Sequence, residues 1–170
     1  MSSEQRDRMV EAIASWQLEL PNSRDLLTSS AAELLAEGRD DTAVVEMASI
    51  YTDESRFRID ALIENVIAEL GLEADLSDGP DLPATRYLCR GVLEGIISER
   101  ALSRWVHSRF DHESDFEVLN EIATLDDDYD EAGFSGAPTD PIRSKIRILA
   151  SEFLGAAQPA VAPRTESRAT

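Results

Sequence analysis

The densest group of residues with chemical potential is a run of carboxylates. Between Asp111 and Glu131 the chain carries ten acidic residues and no Lys or Arg, with its peak at Asp126-Asp127-Asp128-Tyr129-Asp130-Glu131. Carboxylates at alternate positions can converge on a hard cation such as calcium. The register opposes this. A calcium loop starting at Asp126 puts Glu131 where the sharp turn needs Gly, and one starting at Asp128 puts Thr139 where a bidentate Glu is needed. The run therefore reads as an acidic surface at a helix end, with Phe134 in the loop beyond it as an apolar anchor for a partner.

His107 and His112 flank Arg109 and Asp111 around the end of one helix. Helical geometry over five residues turns the two rings to different faces, and no third ligand is evident, so the spacing predicts surface histidines and no metal. Cys89 is the only cysteine, which excludes an intrachain disulfide and a cysteine-based zinc framework. On an apolar helix face it reads as a small buried hydrophobe. No serine or cysteine nucleophile has an ordered base beside it, so no catalytic residue and no cofactor are expected. Gly91 and Gly95 fall within a helical segment, which suits close approach by a neighbouring helix better than a phosphate loop.

Basic residues are also grouped. Arg86, Arg90, Arg100, Arg104 and Arg109 face only two glutamates in the same stretch, and Arg143, Lys145 and Arg147 cluster further on. Arginines on helices beside an acidic helix form internal ion pairs, or they hold a phosphate. Arg86, Tyr87 and Arg90 are the candidates for a ligand pocket between the two halves described next.

These groups must be positioned by helices. Met9, Ile13, Trp16 and Leu20 form an amphipathic stripe ending at Pro21, and Leu27, Ala31, Leu34 and Leu35 continue the period to Gly38. A shorter helix is expected over 41–51 with Val44, Ala48 and Tyr51 on one side, although adjacent Val44 and Val45 also suit a strand. Ile59, Leu62, Ile63, Val66, Ile67 and Leu70 define the clearest helical face. The segment 72–83, rich in Gly, Pro, Ser and Asp, reads as an exposed connection between halves at about 1–71 and 84–155. Beyond it Leu88, Cys89, Val92, Leu93, Ile96 and Ile97 form a broad apolar face, and Ser98 caps a helix carrying Leu102, Trp105 and Val106. Ser114 and Glu117 match a capping box, 132–139 reads as a loop, and Asp140-Pro141 opens a last helix that buries Ile142, Ile146, Leu149 and Phe153. Residues 156–170 read as a disordered tail. The fold class is all-α: one domain of seven or eight helices over 1–155.

Size and charge bound the function classes. A 170-residue chain suits one domain that buries roughly 70% of its unfolded surface. With 34 acidic and 16 basic residues the formal charge is −18, which repels nucleic acid and anionic membranes and fits a protein partner with a basic surface. Met1 to Arg8 lack the apolar stretch of a secretory signal, and no window approaches the ~18 apolar residues of a membrane span, so a cytoplasmic location is expected.

The stretch from Gly95 to Gly133 resembles a pattern seen in small uncharacterised bacterial helical proteins. The matching residues are Gly95, Ile97, Ser98, Trp105, Leu125, Asp126, Asp127, Tyr129 and Asp130. The resemblance implies a helical fold and a bacterial setting and brings no site with it. The expected function is a non-enzymatic interaction module, of inhibitor or immunity type, that binds through Asp126, Asp127, Asp128, Tyr129, Asp130, Glu131 and Phe134. A ligand-binding or enzymatic pocket near Arg86, Tyr87 and Arg90 is the alternative, and a dimeric structural role the third.

Overall fold

A computed structural model describes residues 1–156. Among them the chain is entirely helical: α1 Ser3–Gln17, α2 Ser23–Ala36, α3 Thr42–Ala48, α4 Arg56–Leu70, α5 Asp81–Glu94, α6 Glu99–Phe110, α7 Glu117–Ser135 and α8 Asp140–Gly155. Most of the segment expected as a disordered tail, 157–170, lies outside the described residues.

The centre of the molecule is α1. Ser2 and Gln5 cap it reciprocally: the Gln5 N–H donates to Ser2 Oγ at 3.3 Å, and the Ser2 N–H to Gln5 Oε1 at 2.8 Å. Every residue from Met9 to Trp16 is buried, because α1 packs against α2 on one side and α5 on the other. Met9, Ile13 and Trp16 join Leu27, Leu34, Met47, Ile59 and Leu72 in a first core. Ala14 and Leu20 join Leu88, Val92, Leu102, Ile122, Ile146 and Phe153 in a second. Residues of α1 contribute to both cores. The Trp16 indole N–H donates to Asp60 at 2.7 Å and ties α4 to α1.

Several boundaries differ from the sequence reading. The connection between the halves ends at Pro80, since Pro83 is tolerated in the first turn of α5, and its first residue, Leu72, is fully buried. Tyr51 lies beyond α3 and is exposed. Gly95 is the left-handed cap of α5 (φ 77°) and so does not serve helix packing; it turns Ile96 out of the expected apolar face into solvent. Gly91 does permit a close approach, but by Ile97 just past that cap: a Cβ there would lie 2.5 Å from Ile97 Cδ1. Ser114 and Glu117 form no capping box. Ser114 Oγ accepts from the Phe116 N–H, while the Asn120 amide brackets the Ser114 backbone with two 2.9 Å bonds, and α7 begins only at Glu117. At its other end α7 runs through the expected loop to Ser135. Burial of Ala132 outweighs the helix penalty of Gly133, and left-handed Gly136 ends the helix.

Candidate functional site

The carboxylate run lies on the second half of α7, against α6. Ser98 accepts from the Ala101 N–H and starts α6, which then presents Arg100, Ser103 and His107 along one stripe towards α7. Asp126 turns inward among them and is only 8% exposed. It accepts from Ser103 Oγ at 3.3 Å, lies 3.2 Å from His107 Nδ1, and has Arg100 Nε at 3.6 Å. Arg100 also pairs with Asp130, and its guanidinium stacks 4.8 Å over the Tyr129 ring. Burial raises the pKa of the Tyr129 hydroxyl. The run is therefore divided: Asp126 is buried, Tyr129 is half-buried and the exposed Asp130 is held by Arg100, while Asp128 and Glu131 are exposed and make no ion pair among the described residues.

The two histidines meet, contrary to the spacing argument. Asp111 and His112 both adopt positive φ (44° and 61°), so the helix ends at Asp111 and the chain folds back. Asp and His are among the residues that tolerate this conformation best. The His107 and His112 rings then stack edge to face, with centroids 4.8 Å apart. Asp127 reaches both, at 3.8 Å from His107 Nδ1 and 3.5 Å from His112 Nε2. His112 lies beyond the end of α6, so helical geometry does not separate the two rings.

On its outward side α7 forms an acidic ridge. Glu117, Glu121, Asp128 and Glu131 share one face, and Asp127 and Phe134 flank it. Lys145 pairs with Glu121 at 3.2 Å, but among the described residues no basic side chain pairs with Glu117, Asp128 or Glu131. Phe134 is 93% exposed and borders a shallow depression with Arg100, Tyr129, Asp130 and Gly133.

Arg86, Tyr87 and Arg90 do lie between the two halves, where α5 meets α1. The guanidiniums of Arg86 and Arg90 are already engaged by Glu11, a carboxylate 3% exposed. Both its oxygens accept from Arg90, at 3.0 and 3.2 Å from Nε, and Arg86 stands at 3.9 Å. Burial raises the pKa of Glu11 despite these partners, and the Glu11 hydrogen bond raises that of Arg90. Tyr87 and Arg90 line an open groove of about 460 Å³ between α1, α2, α5 and the end of α8. Glu11 escaped the sequence analysis, although a lone carboxylate inside the apolar window Met9–Ala14 was its signal.

The other basic residues are consumed similarly. Arg109 pairs with Asp81, and Arg143 and Arg147 with Glu99. Arg147 also donates to the carbonyls of Val92 and Leu93 at the end of α5. Among the described residues Arg104 makes no ion pair. Cys89 is fully buried, and burial pushes its thiol up to about 12, which suits packing and not nucleophilic attack. No described helix is long and apolar enough to cross a membrane. No protein-family model, no curated protein and no solved structure matches the chain.

Proposed function

We propose that the protein is a non-catalytic binding module that presents the outward face of α7 to a protein with a basic surface. The observation that carries this reading is the C-terminal part of the ridge: among the described residues Asp128 and Glu131 make no ion pair, and they lie close to a 93% exposed Phe134. Elsewhere the same helix neutralises its charge with care, through Arg100 and Lys145. An exposed phenylalanine forgoes about 2 kcal/mol that burial against a partner would return. Carboxylates around it would steer a cationic surface to the site, and steering acts mainly on the association rate. An inhibitor or immunity role belongs within this class. The test captures partners from a native extract on the immobilised chain and repeats the capture with Asp128→Asn, Glu131→Gln and Phe134→Ala combined. Retention of the same basic partner by the triple variant would refute the reading.

The groove beside Tyr87 and Arg90 favours a second reading, a small-ligand site between the halves. Glu11 already neutralises Arg90, while Glu94 at the rim pairs with no base among the described residues, so the groove would select an organic cation over an anion. A thermal shift with small amines, lost in Glu94→Gln, would support it; no shift with any amine would remove it.

A further inference from the structure

We infer that His107, His112 and Asp127 form a binding site for a divalent transition metal, with zinc as the best fit. One ligand atom from each residue lies within 4.8 Å of the other two. Asp127 stands 3.5 Å from His112 Nε2 and 3.8 Å from His107 Nδ1. Tetrahedral coordination with bonds of about 2.1 Å separates ligand atoms by roughly 3.4 Å, so small side-chain rotations close the site.

Two features beyond proximity support it. The ligands come from separately held elements: α6 carries His107, α7 carries Asp127, and the two left-handed residues of the corner place His112. The ligand set is also selective. Two imidazoles and one carboxylate suit zinc and its first-row neighbours, whereas calcium and magnesium prefer all-oxygen sites. His112 and Asp127 are exposed, so an ion can enter and keep water in a fourth position. This inference is independent of the partner-binding reading.

The test is calorimetric titration of the full chain with zinc, paired with the absorption spectrum of the cobalt-loaded protein. The wild type binds one zinc, and cobalt gives the intense visible bands of tetrahedral coordination. His112→Ala and Asp127→Asn each weaken zinc at least about tenfold. Asp115→Asn, an exposed acid of the same corner, leaves the affinity within about twofold, which separates a site from diffuse attraction to an acidic protein. Circular dichroism confirms that each variant remains folded. Absence of saturable zinc binding by the wild type would overturn the inference. So would His112→Ala binding as tightly as wild type, or Asp115→Asn losing as much as Asp127→Asn; the histidines would then serve only to pair with carboxylates.

Discussion

Arg90 joins the two helical halves by holding the buried carboxylate of Glu11, with 3.0 Å from Nη2 and from Nε. The contact crosses from α5 to α1, where the helix shared by both cores meets the second half. A buried pair of this kind gains little over an apolar pair of equal volume, yet breaking it strands a charge.

Glu11→Ala should therefore destabilise the fold by about 3 kcal/mol, since Arg90 and Arg86 lose their common partner. The double variant Glu11→Leu, Arg90→Met should recover most of that loss. Urea denaturation of Glu11→Leu, Arg90→Met and their combination measures the coupling directly. Additive losses would mean that the pair does not act as a unit.

The two buried glutamates should shape acid stability with opposite signs. Burial raises the Glu11 pKa above the unfolded value of about 4.3, so the folded state binds a proton that the unfolded state lacks. Its contribution falls as pH rises through that window. Burial opposes ionisation of Glu99 too, but its own backbone N–H at the start of α6, Arg147 and Arg143 outweigh it and lower the pKa. Its contribution is present above about pH 4.3 and is lost as pH falls through the folded value. Glu99→Gln should cost on the order of 1.5 kcal/mol at neutral pH, and the difference from wild type should vanish in acid. Glu11→Gln should instead flatten the profile just above pH 4.3. Denaturation midpoints across this range read both slopes.

Phe153 is 4% exposed and meets Phe116 edge to face with centroids 5.7 Å apart. Phe153→Ala should cost about 3 kcal/mol, because the rigid surroundings on α5, α7 and α8 cannot close the cavity. An unchanged urea midpoint would place the ring outside the core.

Helical periodicity made the fold legible. The stripes of Ile59 to Leu70 and Ile146 to Phe153 repeat every turn, and both are buried largely as read, with Ile67 only partly covered. Misreadings gathered where a backbone turn overrides the period. Gly95 expels Ile96, Gly136 delays the end of α7, and left-handed Asp111 and His112 bring together two rings that an ideal helix separates. Burial within the acidic run was also hidden. Asp126 and Asp128 are identical in sequence, and only the facing stripe of Arg100, Ser103 and His107 decides that one turns inward. Charge composition says nothing of such pairing, which depends on contacts between helices.

The most direct test of the acidic ridge is the association rate of a partner captured from native extract, measured against salt for the wild type and for Asp128→Asn, Glu131→Gln, Phe134→Ala. These side chains make no ion pairs among the described residues and are exposed, so the triple variant should keep its thermal midpoint or gain slightly as repulsion near the α7 C-terminus is relieved. At low salt the variant should associate at least about tenfold more slowly, and the difference should shrink as salt shortens the screening length to about 8 Å or less. Equal association rates for the two proteins at low salt, with both folded, would contradict it.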